Sequence, residues 1–316
     1  MKRELSVDGQ LIKRGESKVI DLNIARLVSG TAIDLPIYVY RSKKPGPIIL
    51  LSGGLHGDEV DGIEIIRRLI RAKTFKNLKR GSVIAIPVLN IYGFLNFSRE
   101  VPDGKDVNRY FPGNKTGSLA SRVAYNLTKK VLAEIDFGID FHTGGANRYN
   151  YPQSRFAPND SKAREIAAIF NAPISLESNL IDKSLRKEAY KMGKSIVVYE
   201  GGESMRFDEL SITEGIRGAK RVLSHFGMIE EEIPVQNHTF CSKSQWVRAR
   251  RAGLFHPALK SGEWVDQNDV MGYLSDPFGS KPVRIKAPDS GIIIGHNNAP
   301  LVNQGDALFH LGTLNH

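Results

Sequence analysis

Between residues 47 and 226, short unbroken apolar runs alternate with segments that have the spacing of amphipathic helices. This alternation constrains the fold more than any other feature of the sequence. Residues 48–51 form such a run, and residues 137–141 are interrupted only by Asp140, so both lack the polar alternation of a half-exposed strand. They are typical of strands that are covered on both faces. The alternation therefore predicts an α/β fold, in which a mixed, mostly parallel sheet carries helices on both faces.

The pattern predicts four strands and five helices in this region. The strands are predicted at residues 48–51, 82–89, 137–141 and 195–199. The helices are predicted at residues 58–73, 118–135, 160 or 161 to 170, 182 or 184 to 193, and 208–226. The first forty residues show only short strands separated by turn signals.

Residues 235–316 have a different pattern, with frequent turn signals and no helical spacing. Residues 264–274 align with residues 301–311 at an offset of 37 and agree at four of eleven positions, which we interpret as a duplicated β-hairpin unit. The sequence from Ala287 to Asp306 resembles the biotinyl/lipoyl type of β-sandwich, but the stretch at residues 295–299 lacks the carrier lysine. We therefore predict an α/β domain at 1–234 and an all-β, barrel-sandwich-like domain without carrier function at 235–316.

The formal net charge is +10, from 44 Lys and Arg residues against 34 Asp and Glu residues. Such an excess can indicate a nucleic-acid partner. Residues 67–80 contain seven basic residues and no acidic residue, but no nucleic-acid-binding motif accompanies them. We interpret this stretch as a solvated surface and predict neither a nucleic-acid partner nor a membrane partner.

The single cysteine, Cys241, excludes an internal disulfide and a cysteine-based zinc cluster. No apolar run approaches the ~18 residues that a membrane span needs. The polar start of the chain lacks the apolar core of a signal peptide. These features predict a cytoplasmic protein, and they leave a homo-oligomer open.

Candidate metal ligands lie at the ends of two predicted strands. His56 and Glu59 flank the start of the first predicted helix, and an imidazole with a carboxylate suits Zn²⁺, although such a pair can also simply cap a helix. His142 follows the strand at 137–141, where Asp140 shares its face and can orient its ring. Three protein ligands would leave a fourth position for water, which is the pattern of a catalytic zinc site.

The remaining candidates lie on other strand ends and loops. Glu200 ends the strand at 195–199 and could serve as a general base, with Glu203 as the alternative. Arg99 could steady an oxyanion, and Asn108 with Arg109 could bind a carboxylate.

In their order along the chain, these residues resemble the zinc carboxypeptidase-like fold and, more closely, its succinylglutamate desuccinylase/aspartoacylase branch. The resemblance covers about residues 45–230, and the branch usually appends a C-terminal β domain. It implies one zinc ion per chain, bound by His56, Glu59 and His142. It also implies roles for the other candidates: Glu200 as general base, Arg99 as the group that polarises the carbonyl, and Asn108 and Arg109 as the carboxylate site.

The resemblance implies a zinc-dependent amidohydrolase, in which a metal-activated water cleaves the amide bond of a small anionic N-acyl amino acid or N-acyl amine. The alternatives are a metallocarboxypeptidase that acts on short peptides and a non-catalytic binding protein on the same scaffold. Small acylases of this family usually close the pocket with an Arg or Tyr from later segments. The sequence does not assign that residue, and Tyr273 and Arg155 are the two candidates that we considered.

Overall fold

The computed structural model describes residues 4–26 and 29–314, and within these ranges the chain forms six α-helices. They are α1 (Val60–Arg71), α2 (Ile91–Leu95), α3 (Leu119–Leu127), α4 (Ser161–Phe170), α5 (Leu185–Lys191) and α6 (Glu209–His225). A 3₁₀ turn lies at Val107–Arg109, and a π-helical turn at Thr128–Leu132 continues α3. Asp160, Ser184 and Asp208 cap α4, α5 and α6, and each accepts a hydrogen bond from the backbone N–H three residues later.

Nineteen strands lie in the same described ranges. The α/β part contains β1 (Ser6–Val7), β2 (Gln10–Leu11), β3 (Ser17–Arg26), β4 (Ala32–Arg41), β5 (Ile48–Gly53), β6 (Ser82–Ile86), β7 (Phe137–Gly144), β8 (Arg148–Phe156), β9 (Ile174–Glu177) and β10 (Ser195–Glu203). The C-terminal part contains β11 (Thr239–Cys241), β12 (Lys243–Arg248), β13 (Gly253–Pro257), β14 (Trp264–Val265), β15 (Val270–Ser275), β16 (Val283–Lys286), β17 (Gly291–Asn297), β18 (Leu301–Val302) and β19 (Ala307–Thr313).

The main sheet is mixed, as predicted. Strands β10, β7, β5 and β6 are parallel neighbours at its centre, whereas β4 and β8 join the two outer strands of this group in antiparallel fashion. Every residue of β5, β6 and β7 is buried, which explains why β5 and β6 show no polar alternation.

Helices cover both faces of the main sheet. On one face, α3 and α5 contribute Val123, Leu127 and Leu185 to an apolar cluster. On the other face, α1, α4 and α6 pack around a second cluster that contains Ile66 and Phe170. The fold class predicted from the alternation of strands and helices is therefore confirmed. None of the helices in residues 4–26 and 29–314 has the length and apolar character needed to cross a membrane.

Several elements differ from the prediction. Near the start of the chain, β3 and β4 are ten-residue strands rather than short ones. The strand predicted at 82–89 ends at Ile86, and the helix predicted at 118–135 changes to π-helical geometry after Leu127. The sequence pattern did not indicate β8, because this antiparallel strand contains Pro152 and several polar residues instead of an apolar run.

In the C-terminal part, a four-stranded sheet in the order β16-β15-β13-β18 shares an apolar core with strands of the main sheet. The sequence repeat aligns β14 with β18 and β15 with β19, but the two strands of each unit pair with different neighbours. The interpretation of the repeat as two β-hairpins is therefore wrong. The segment that lacks the carrier lysine continues β17, which pairs with β8 through Gly295↔Asn150, His296↔Tyr149 and Asn297↔Arg148.

Candidate metal centre and active-site pocket

The carboxyl ends of the central parallel strands bring the candidate metal ligands together. His56 lies in the loop after β5, Glu59 precedes the first residue of α1, and His142 lies near the end of β7. The loop needs glycine at position 57, since a Cβ there would lie 1.9 Å from the carbonyl carbon of Gly93. This close approach fixes the loop that separates His56 from Glu59.

The three side chains form one buried cluster whose ligand atoms all lie within 4.8 Å of one another. Nδ1 of His56 lies 2.7 Å from Oε1 of Glu59, and Nδ1 of His142 lies 2.7 Å from Oε2 of Glu59. The two Nδ1 atoms are 3.2 Å apart. The three residues are exposed by only 2–6 %, so the cluster lies out of bulk water.

Each histidine has a carboxylate beside its other ring nitrogen. Nε2 of His142 lies 2.7 Å from Oδ2 of Asp140, and Nε2 of His56 lies 3.3 Å from Oδ1 of Asp106. Such carboxylates favour the tautomer that keeps a hydrogen on the outer nitrogen and a lone pair on Nδ1. The sequence predicted this contact for Asp140 but not for Asp106.

The donor set fits a tetrahedral zinc ion. Two nitrogen lone pairs and a carboxylate that converge within 3.2 Å repel one another unless a cation or a proton lies between them. Zn–N bonds of ~2.0–2.1 Å place neighbouring tetrahedral ligands ~3.3 Å apart, close to the 3.2 Å between the two Nδ1 atoms. The two separations of 2.7 Å from Nδ1 to Glu59 are shorter than this and would widen around a bound ion. Burial opposes the charge of Glu59, but the two histidines hold its pKa well below its usual value.

Glu200 and Glu203, the two alternatives for the base, point to different surroundings. Glu200 lines the same pocket as the His-Glu-His cluster. Its Oε1 lies 3.1 Å from Nη1 of Arg155, and its Oε2 accepts a hydrogen bond of 2.6 Å from Nδ2 of Asn150. Glu203 instead accepts a hydrogen bond of 2.7 Å from Asn298 and is not among the pocket-lining residues.

Arg99 reaches the His-Glu-His cluster from the loop after α2. Its Nη1 lies 3.1 Å from Nδ1 of His56 and 3.3 Å from Oε1 of Glu59. Its Nε and Nη2 both donate to Oδ2 of Asp106, at 3.2 and 2.9 Å. The guanidinium is thus held against the ligand atoms by a carboxylate that also faces His56.

Asn108 and Arg109 lie in the 3₁₀ turn that follows Asp106, and both line the pocket. Oδ1 of Asn108 accepts a hydrogen bond from the backbone N–H of Leu185 at the start of α5. The amide therefore has its Nδ2 to offer as a donor on the pocket side. Arg109 is half-exposed and lies 4.0 Å from Asp106 at the pocket mouth.

The pocket has a volume of about 270 Å³, and five arginines line it. Two of them, Arg99 and Arg109, were expected from the sequence, and a third, Arg155, was one of the two candidates for closing the pocket. The other pocket-closing candidate, Tyr273, lies on β15 and is not among the lining residues. The lining residues that the sequence did not single out include Arg148, Asn150, Arg186 and Trp246.

Arg186 is the most buried of the five arginines. Its Nη2 donates to the carbonyls of Ser178 and Asn179 and to the hydroxyl of Ser178, at 2.7–3.1 Å. Its buried Nη1 has no hydrogen-bond partner among the described residues. Burial, reinforced by Arg155, lowers the pKa of Arg186 to about 10, which still leaves it charged at neutral pH. Arg186 is the second residue of α5, a helix that the sequence predicted. Its position at the start of this helix is the sequence signal that could have indicated a role in the pocket.

Comparisons with known proteins agree with this geometry. The sequence model of the succinylglutamate desuccinylase/aspartoacylase catalytic domain matches residues 45–226, which is more than half of the chain. The N-alpha-acetyl-L-2,4-diaminobutyric acid deacetylase of Halomonas elongata is 29% identical over 294 residues, which cover 88% of this chain and 85% of that protein.

Solved structures resemble the whole chain rather than the α/β part alone. The product-bound ectoine utilization protein EutE of Ruegeria pomeroyi has a TM-score of 0.84 and 24% identity, with 95% of each chain covered. A succinylglutamate desuccinylase/aspartoacylase from Rhodobacter sphaeroides has a TM-score of 0.82 and 26% identity, with 94% of each chain covered.

Proposed function

Since this chain belongs to the succinylglutamate desuccinylase/aspartoacylase family, we propose that it is a zinc-dependent deacylase that hydrolyses the amide bond of a small, anionic N-acyl amino acid. The observation that carries this proposal is the convergence of the buried His-Glu-His cluster, Glu200 and five arginines in one pocket. His56, Glu59 and His142 would hold one zinc ion per chain. When bound, zinc would supply an acidified water and would polarise the scissile carbonyl.

Glu200 is the proposed general base. A carboxylate in the pocket wall can take a proton from the attacking water and return it to the leaving amine nitrogen. Arg99 would steady the negative charge that develops on the carbonyl oxygen, because its guanidinium already lies against the ligand atoms. Asp106 holds that guanidinium in place.

Arg109, Arg148 and Arg186 would select the substrate by charge. Glu59, Asp140 and Glu200 are the carboxylates among the lining residues, and each already contacts a histidine or an arginine. No carboxylate in the described parts of the chain pairs with Arg148 or Arg186. Arg186, Arg109 and Asn108 would therefore bind the substrate's carboxylate.

The excess of arginines over free carboxylates in the pocket should disfavour the acetylated diaminobutyric acid for which the Halomonas elongata relative is named. That compound carries a free amine, which is cationic at neutral pH. An ammonium group beside Arg148 and Arg186 would be repelled. We therefore expect N-acyl amino acids with an anionic side chain to be better substrates of this chain than the diaminobutyrate derivative.

The test is amine release from a substrate panel by the zinc-loaded protein. The panel contains N-acetylaspartate, N-succinylglutamate, N-acetyldiaminobutyrate and short peptides with a free carboxyl end. We expect turnover of the N-acyl amino acids, loss of turnover after chelation, and no turnover by Glu200→Gln with its zinc retained. Cleavage of peptides alone would favour a metallocarboxypeptidase. Full activity of Glu200→Gln would contradict the assignment of the base.

A further inference from the structure

Both carboxylate oxygens of Glu200 are held by side chains from one neighbouring strand, β8. Nδ2 of Asn150 donates to Oε2 at 2.6 Å, and Nη1 of Arg155 lies 3.1 Å from Oε1. Asn150 is buried, and the Arg155 side chain is exposed by only 21%. A hydrogen bond on one oxygen and an ion pair on the other leave the carboxylate few orientations.

An irregularity in the strand pairing makes this two-sided contact possible. Asn150 and Arg155 are five positions apart, so a regular strand would point them to opposite faces of the sheet. The pairing of β10 with β8 shifts its register between Glu200 and Gly202, next to Asn150. A bulge of this kind redirects side chains, and bulges are frequent beside active sites.

Residues of the C-terminal part lie against Asn150 and near Arg155. Gly295 on β17 pairs with Asn150, and a Cβ at Gly295 would lie 2.7 Å from Oδ1 of Asn150. The absence of a side chain at position 295 therefore leaves the space that the Asn150 amide occupies. Near Arg155, Trp246 stacks on His310 with ring centroids 4.3 Å apart, and all three residues line a second cavity outside the pocket.

We propose that Asn150 and Arg155 are positioning residues that hold the Glu200 carboxylate in its working orientation, with Gly295 of the C-terminal part keeping room for Asn150. The proposal rests on the function proposed above, in which Glu200 is the base. A general base must lie at a defined distance and angle from the attacking water, and a misplacement of ~1 Å can cost ~100-fold in rate. The activity of Glu200 therefore depends on the residues that orient its carboxylate.

The experiment compares Asn150→Ala, Arg155→Met and Arg155→Lys with the zinc-loaded wild type. Each protein is assayed on N-acetylaspartate, which has two carboxylates, and on N-acetylglycine, which has one. We expect kcat to fall ~10- to 100-fold by the same factor for both substrates, with little change in KM or zinc content. Arg155→Lys keeps the charge and should recover part of the loss. Arg164→Met, an exposed arginine that pairs with Glu177, should match the wild type.

The split between kcat and KM separates positioning from substrate binding. If Arg155→Met raises KM for N-acetylaspartate alone and leaves kcat intact, Arg155 binds substrate and the proposal is wrong. If Arg155→Met does not fold, Arg155→Lys provides the same comparison with a smaller expected loss. Activity of Glu200→Gln would refute the assignment of Glu200 as the base in the proposed function, whereas inactivity of Glu200→Gln with full kcat in Asn150→Ala and Arg155→Met would refute only this inference.

Gly295→Ala tests the contribution of the C-terminal part. The added methyl group should displace the Asn150 amide and lower kcat while the zinc content stays constant. Because the effect passes through Asn150, adding Gly295→Ala to Asn150→Ala should cost little further activity. Equal losses in both backgrounds would show that Gly295 acts independently of Asn150.

Discussion

The carboxylate of Asp140 lies 2.7 Å from Nε2 of His142, two residues further along the same buried strand. Ser52 on the adjacent strand donates a hydrogen bond of 2.8 Å to the other oxygen of Asp140. Ser52 thus holds one oxygen of the Asp140 carboxylate, and the other oxygen holds Nε2 of His142. As a result, Nδ1 of His142 faces Glu59.

Removing this support should weaken metal binding without removing a ligand. We expect Asp140→Ala to lower zinc affinity ~10- to 100-fold, the usual effect of losing such a partner, whereas His142→Ala should abolish stoichiometric zinc. Competition with a chromogenic chelator measures both. The exposed Asp182→Ala is the matched control. Wild-type affinity in Asp140→Ala would mean that the ring of His142 is held by other contacts.

Asp106 should matter for catalysis because it holds Arg99 and also faces His56. We expect Asp106→Asn to lower kcat/KM ~10- to 100-fold, the equivalent of one charge-assisted hydrogen bond of ~1.5–3 kcal/mol. Steady-state kinetics with the zinc content measured in parallel provides the test. Asp103→Asn, which removes an exposed carboxylate in the same loop, should have no effect. Unchanged kinetics in Asp106→Asn would argue against a role for the Arg99 orientation.

Arg186 should affect substrate binding more than turnover. We expect Arg186→Met to raise KM for N-acetylaspartate ~10-fold or more while kcat changes little, because the lost contact is made equally before and during the reaction. Arg217→Met, a surface arginine that pairs with Glu214, is the control. A fall in kcat at constant KM would instead assign Arg186 to the transition state.

His310 should make stability depend on pH. Burial, reinforced by Arg155, lowers the pKa of His310 from 6.5 to about 3. Between these values the unfolded chain binds a proton that the folded chain does not, so the free energy of unfolding should fall as the pH falls. The contribution is at most ~1.4 kcal/mol per pH unit between pH ~6.5 and ~3.

Urea unfolding at pH 7 and pH 5 measures this effect. His310→Phe retains an aromatic ring against Trp246 and removes the titrating group, so its stability should fall less on acidification than that of the wild type. His256→Phe, an exposed histidine on β13, controls for the loss of an imidazole. Identical pH dependence in wild type and His310→Phe would exclude this contribution.

The sequence predicted that His56, Glu59 and His142 would lie close together, because they follow strand-like segments. His56 follows β5 and His142 lies near the end of β7, and parallel strands bring their carboxyl ends to one edge. The fold class followed from the same segments. The same reasoning placed Glu200 at this edge of the sheet. The sequence does not show that Glu200, rather than Glu203, lines the pocket, because this depends on how the two side chains are oriented.

The pocket wall was not predictable in the same way. Strand β8 is antiparallel and contains Pro152, so nothing in its sequence marked it as part of the sheet. Asn150 and Arg155 reach Glu200 only through a register shift, which depends on the pairing of two strands rather than on either sequence. Trp246 comes from the C-terminal part, and its contribution to the pocket depends on tertiary packing alone.

The pairing of β17 with β8 has a consequence for any shortened form of this protein. The chain passes between its two parts through residues 230–238, which lack regular structure, so a truncation there looks harmless in sequence. It would nevertheless uncover the backbone of Arg148–Asn150 and the edge of β9, which pairs with β11. Uncovered strand edges recruit other chains. We therefore expect a fragment without the C-terminal part to aggregate through β8, the strand that lines its pocket.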